Sequence, residues 1–444
     1  MSAAFGALRG LVSGNSMSYD SYMSRISQMS TNELIEEHRD LLRNNSFKSF
    51  SMDDLMRALD TLDPRTETIP FVTLIQVKLL KDVASRSKAE NAGNTLRSVV
   101  DRISTIDVNE ALLFLDYYFK VIEMALSVAK ILREERQVLA LTFVRNALAV
   151  LDKEERTITK MHSSFFDACL LAGRPDLALE VIYEDVREVL LDPATNTNKA
   201  KELFFYYSHA AEVQYALGNY RQAAHLYLNA LMVPVASLCN LHLLVYKRFV
   251  LLNFVLGNPF SQLPHCLHEL LERLVRPKCE VFDELIRIAS KKAYKRNIVT
   301  ILDEFIRRNA FMLNGDNMGP LILKVRERVK HEVFMKVATT FKVIQMDDVR
   351  KRCFLGSDEE VLKVMEELVA EGRIEAEYNR ETGFLKFAIP PPRKVDPEDL
   401  VKAQKTLAQL KEAVGFYDEQ CRRNKAYVSH TKKDKKEHMM PAGF

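Results

Sequence analysis

Tryptophan is absent from this chain, and glycine and proline supply only 14 residues each of 444. So few helix breakers and turn formers argue against a sandwich or barrel built of many short strands, and favour long helices. Six cysteines, Cys169, Cys239, Cys266, Cys279, Cys353 and Cys421, lie far apart with no CxxC pair. That spacing excludes a zinc ribbon and a disulfide framework, and suits reduced thiols in the cytosol or nucleus. An excess of one charge is also missing: 63 basic residues face 60 acidic ones, a net +3. Such balance gives little support to a polyanionic partner. The longest stretch without Asp, Glu, Lys or Arg, residues 222–246, is interrupted by His225, Asn229, Pro234, Asn240 and His242. It reads as two buried helices with a break rather than a membrane span.

Chemistry-bearing motifs are scarce too. The chain has no GxGxxG, no Walker loop and no Gly-Lys-Ser/Thr, so no phosphate cradle is expected. His265-Cys266-Leu267-His268-Glu269 is the one dense histidine cluster, and it violates both zincin orders. Ordinary helical histidines are the better reading. No His-x-His occurs, and no catalytic, cofactor-binding or metal-binding residue is nominated; the chain reads as no enzyme.

What is present is helical periodicity. The Ser- and Met-rich residues 1–30 read as a disordered leader, with a mitochondrial transit peptide as the less favoured alternative. Order is expected from Thr31, where Thr31-Asn32-Glu33-Leu34 resembles a helix start. Helical repeats follow over 31–258, with Ala111 to Arg133 as one segment, and continue over 259–320. The sharpest repeat signal is Leu217-Gly218-Asn219-Tyr220-Arg221-Gln222-Ala223, then Tyr227, Ala230, Leu231 and Pro234. This is the inter-helix half of a tetratricopeptide-like repeat, in which Gly218 supplies the turn and Tyr220 and Ala223 set close helix packing. Gly173 with Ala178, Gly257, and the Ala140/Ala147 pair are weaker echoes. A generic helical bundle is the rival to this helical-repeat solenoid.

The texture changes after Asn314 to Gly319. Ile322, Val325, Val329, Val333 and Val337 share a helix face; Lys342 to Gln345 suits a short strand and Asp347 to Cys353 a short helix. Ser357-Asp358-Glu359-Glu360 has the form of a capping box, and Gly372 closes that helix. Ile374, Ala376 and Tyr378 alternate, residues 379–383 turn, and Leu385, Phe387 and Ile389 alternate again, which predicts a hairpin. Helix, strand, two helices and a hairpin over 321–390 is the order of a winged helix. After Pro390-Pro391-Pro392, a final helix over 397–427 places Leu400, Leu407, Val414 and Cys421 seven residues apart, interleaved with Ala403, Leu410 and Tyr417. From Arg422 onward seven basic and two acidic residues accumulate. The tail over 428–444 reads as disordered; a nuclear-import or polyanion-contacting patch and a plain solvated tail remain open.

A winged helix raises the question of DNA. The candidate recognition helix, Asp358 to Glu371, has six acids against Lys363 alone, so phosphates repel it. Protein contact fits better. A small sheet leaves an edge that another subunit's strand can pair with, which nominates Tyr378, Leu385 and Phe387. The terminal heptads nominate Leu400, Leu407, Leu410, Val414 and Tyr417, since a helix beyond a Pro-rich break has no evident local core. Packing back on its own solenoid is the rival.

Helical repeat, winged helix and terminal helix together resemble the PCI-domain subunits of the proteasome lid, the COP9 signalosome and translation initiation factor three. The wording is closest to the signalosome branch. It is carried by Met161-His162, Cys169-Leu170-Leu171-Ala172, Tyr206-Tyr207, the residues from Leu217 to Pro234 quoted above, Tyr246-Lys247, Leu256-Gly257, Gln262-Leu263-Pro264 and Asp316-Asn317-Met318-Gly319. The likeness runs from Lys160 to Phe387; residues 1–150 match only in texture, and the Lys-rich tail departs from it. The resemblance implies a non-catalytic scaffold in a complex that removes Nedd8 from cullin-RING ligases, with the chemistry in a separate metalloprotease subunit. It also implies neighbours among the other PCI subunits, subunit one and subunit eight, a last helix placed in a shared bundle, and a site of action in cytoplasm and nucleus. Neither cofactor, nucleic acid nor membrane is implied.

Overall fold

The computed structural model describes residues 19–423, apart from 27, 44–46, 48–49, 86–87, 133, 153–155, 192–197, 235–236, 258–270, 291–296 and 389–396. Helix starts earlier than expected from the sequence. α1 (Tyr19–Ile26) precedes α2 (Thr31–Arg43), and Tyr22 is buried with its hydroxyl 2.9 Å from His38 Nε2. Helix therefore begins inside the span 1–30 expected as a leader, of which residues 1–18 lie outside the described residues: an aromatic group of Tyr22, Phe47 and Phe50 in mutual edge-to-face contact gives α1 something to bury. The start of α2 is set by Ser30, whose N–H donates to Glu33 Oε2 at 3.0 Å.

α3 (Met52–Thr61), α4 (Thr68–Ala84) and α5 (Lys88–Val99) follow. α4 is buried on every side from Thr68 to Leu79. Even Lys78 and Asp82 are enclosed there, 2.8 Å apart, with Thr95 donating to the second carboxylate oxygen at 2.6 Å. The segment 111–133 is not one helix but the end of α6 (Val108–Leu113) and all of α7 (Leu115–Ala129), because Phe114 leaves helical geometry between them. α8 (Glu134–Leu151) packs on α7, where the Tyr118 hydroxyl donates to Ala147 O at 2.8 Å, and Ala140 and Ala147 are both fully buried.

Two short strands, β1 (Thr157–Thr159) and β2 (Glu188–Leu190), pair in parallel around α9 (Lys160–Leu171) and a 3₁₀ turn, Pro175–Val181. Then come α10 (Lys199–Ala216), α11 (Tyr220–Met232) and α12 (Asn240–Val255), so the uncharged stretch 222–246 is broken between two helices as expected. No helix among the described residues is long and apolar enough to cross a membrane. α13 (Glu280–Ser290), α14 (Ile298–Arg308) and the single turn α15 (Ala310–Leu313) lead to α16 (Gly319–Thr340).

The repeat signal is visible in the helix ends. Gly218 has φ +81°; its N–H donates to Tyr215 O and that of Asn219 to Gln214 O, closing α10. Gly173 and Arg174 close α9 through the same pair of bonds. Ala223, Tyr227 and Ala230 of α11 are buried against α10. A Cβ at position 218 meets nothing within 4 Å, so Gly218→Ala carries only the left-handed backbone cost. We expect about 1 kcal/mol, seen as a drop of about 2 °C in the melting temperature of the full chain.

One polar tie crosses this array. Tyr227 of α11 donates to Glu212 Oε1 of α10 at 2.7 Å, and Arg248 of α12 pairs with the other carboxylate oxygen of Glu212 and covers the Tyr215 ring. Burial pulls the Arg248 guanidinium down to about 10, still charged at neutral pH. Arg248→Met leaves a largely buried carboxylate unpaired and is expected to destabilise by about 3 kcal/mol. Arg248→Met with Glu212→Gln should recover most of that in denaturant titration.

The chain divides into two compact units, the boundary falling between Val333 and Phe334. The second is a winged helix. After α16 come β3 (Val343–Gln345), α17 (Met346–Cys353), α18 (Asp358–Ala370), β4 (Glu375–Asn379) and β5 (Phe384–Ala388), the elements expected from the sequence. Ser357 Oγ accepts from Glu360 N–H while Glu360 Oε2 accepts from Gly356 N–H, and Gly372, at φ +67°, ends α18. A terminal helix, α19 (Pro397–Arg423), completes the described chain. Its 27 residues give a length of about 40 Å. The architecture is mainly α: a helical-repeat solenoid, a winged-helix module and a C-terminal helix.

Candidate protein-docking surfaces

The sheet of the second unit is ordered β3-β5-β4, all antiparallel. β5 therefore has both long sides hydrogen-bonded, and among the described residues the free edges belong to β3 and β4. This corrects two of the sequence nominations. Leu385 and Phe387 lie on the central strand, 0% and 5% exposed, with Phe387 edge-on to Phe334 at 5.6 Å. They build the module's own core and present neither side chain nor edge. Tyr378, opposite Leu385 in register, lies on β4 and is half-buried, so its position at least sits on an open edge.

The outward face of the same sheet was missed. Val343 and Phe384 are exposed there, with Lys386 between Val343 and Glu377 in register. The signal was present in the alternation itself: if Leu385 and Phe387 point inward, Phe384 and Lys386 must point out. On α18 the acids Asp358, Glu359 and Glu366 are exposed, as is Glu371 at its C-cap. A recognition helix with that surface repels a phosphate backbone.

α19 differs from every other long helix. Each of its side chains from Pro397 to Gln420 is exposed. Leu400, Leu407, Leu410, Val414 and Tyr417 range from 52% to 67% exposed, and Val401 and Phe416 lie off their ridge, exposed as well. At 3.6 residues per turn the five nominated side chains fall on one face, wider than a strict two-stranded seam once Ala403 and Ala413 are added. Uncovered apolar surface on this scale is the kind that marks a protein-interaction site. Cys421, whose side chain lies outside the described set, cannot be placed on that ridge.

No cluster of three or more metal-ligating side chains occurs among the described residues. The His265/His268 pair lies outside them. Cys169, Cys279 and Cys353 are buried free thiols, pushed up to about 12, 11 and 12 by burial, and Cys239 is exposed.

Comparison with known proteins bears on the repeats. Residues 27–271 match the family model described as COP9 signalosome complex subunit 3, N-terminal helical repeats. COP9 signalosome complex subunit 3 of Dictyostelium discoideum is 21% identical over 249 residues, 55% of this chain and 57% of the relative. The subunit of the same name from Arabidopsis thaliana is 19% identical over 244 residues, 54% of each chain. The chain thus covers a little over half the length of these relatives. Since the family model spans more than half of the 444 residues, the chain belongs to the family of COP9 signalosome complex subunit 3.

Proposed function

We propose that the chain is a non-catalytic scaffold subunit of the COP9 signalosome, the complex that removes the ubiquitin-like modifier Nedd8 from cullin-RING ubiquitin ligases. It acts by assembly, through the winged helix and above all through α19, whose uncovered apolar ridge is the observation that carries the reading. In the winged helix the contacting positions are the β4 edge with Tyr378 and the outward face with Val343 and Phe384, not Leu385 or Phe387. Its partners are other PCI subunits of the complex, with subunit one and subunit eight as neighbours, and a helical bundle that takes in Leu400, Leu407, Leu410, Val414 and Tyr417. It works in the cytoplasm and nucleus. Affinity purification of the tagged chain followed by mass spectrometry tests this. Stoichiometric recovery of signalosome subunits is expected; recovery of proteasome-lid or initiation-factor subunits in their place overturns it.

A further inference from the structure

The outer edge of β2 in the first unit is not used by the assembly surfaces above. β1 and β2 form a sheet of two strands, in register from Thr157↔Glu188 to Thr159↔Leu190, so among the described residues β2 has one long side paired and one left over. A cleft of about 420 Å³ lies against β2, lined by Arg187, Glu188 and Val189 of the strand region and by Lys199 at the start of α10. Successive strand residues alternate between faces, yet three in a row line this cleft and no β1 residue does. The cleft therefore runs along the unpaired edge of β2.

Its charge is unusual for this part of the chain. Arg145, Arg156 and Arg174 each hold a carboxylate, Glu180, Asp185 and Asp176, at 3.1, 2.9 and 2.7 Å. Arg187 and Lys199 are exposed, and among the described residues neither has an acidic partner. Two cations beside an open strand edge match a ligand that brings both backbone amides and carboxylates.

We infer that this cleft docks an extended acidic peptide, which adds to β2 as a third strand and sets its carboxylates against Arg187 and Lys199. Backbone pairing supplies the attachment, and the cations select the sequence. Glu188 repels an acid directly opposite itself, which fixes the peptide positions that carry the carboxylates.

The test uses the full chain and a fluorescein-labelled octapeptide of alternating Val and Glu, followed by anisotropy. Saturable binding is expected, weakened at least about tenfold in R187E/K199E and weakened again when salt rises from about 50 to about 300 mM. Both substituted side chains are exposed, and an unchanged circular dichroism spectrum verifies the fold. The same peptide N-methylated along one edge keeps its charge but loses strand pairing, and should not bind. Equal binding of the methylated peptide reduces the effect to charge adsorption and overturns the proposal, as does equal binding to R187E/K199E or none up to millimolar peptide.

Discussion

Leu407→Asp with Leu410→Asp should remove the chain from its assembly without disturbing its own fold. Among the described residues nothing covers either side chain, so the isolated variant is expected to melt within about 1 °C of the parent. In the assembled state each leucine, once buried, contributes about 1.5–3 kcal/mol. A carboxylate forced into the same site adds a desolvation cost of several kcal/mol. A combined loss on the order of 5 kcal/mol is more than three decades in affinity, enough to empty the complex at cellular concentrations. Val401→Asp lies off the ridge and should retain most of the partners. If the double variant still co-purifies in stoichiometric amounts, α19 is not the joint.

Acid should unfold this protein through two histidines held neutral in its interior. His38 and His162 are fully buried, and burial pulls each down to about 4. His38 Nδ1 donates to Leu34 O and Nε2 accepts from the Tyr22 hydroxyl, an arrangement that leaves no place for a second ring proton. His162 Nδ1 accepts from Thr159 N–H at the first turn of α9, with Phe166 and Tyr206 edge-on to the ring. Burial strips a positive charge there of its water, and the positive end of a helix repels it. Because the folded values lie below the unfolded value near 6.5, the stabilisation is complete above about pH 6.5. It drains away as pH falls toward 4, at about 1.4 kcal/mol per pH unit per histidine. Each loses about 3 kcal/mol over that span, and together they rival the whole stability of an ordinary domain. His162→Gln keeps the reciprocal cap on Thr159 but cannot titrate. Denaturant titrations between pH 4 and 6.5 should show a stability slope shallower by about one proton in that variant; an unchanged slope sinks the assignment.

The repeat and the winged helix were legible because local rules and packing agree there. Gly218 sits where only a left-handed residue ends the helix, and Ser357 and Gly372 bracket α18 as their types require. The failures have physical causes. α1 was hidden because Tyr22 is buried by residues far along the chain, which periodicity in a Ser-rich segment does not register. The break at Phe114 lies inside an unbroken apolar run, with no Gly or Pro to mark it. Leu385 and Phe387 were misassigned because alternation tells which residues share a face but not which strand is central. That depends on β3 pairing with β5, a contact across some 40 residues of sequence. For α19 the heptads gave the ridge directly, since among the described residues no tertiary contact covers it.

The tie from Arg248 to Glu212 has a consequence for how the array comes apart. Stacked helical repeats ordinarily touch only their neighbours, so a terminal repeat frays at the cost of a single interface. Here α12 is bonded to α10 across α11, which makes that cost depend on two elements at once. Detaching α12 strands a carboxylate between helices that remain folded, so partial opening stays rare and the three helices exchange their amide protons as one cooperative block. In Arg248→Met with Glu212→Gln, α12 should exchange ahead of α10 while global stability is nearly restored. The pair thus governs the range over which a disturbance at one repeat is felt by the next.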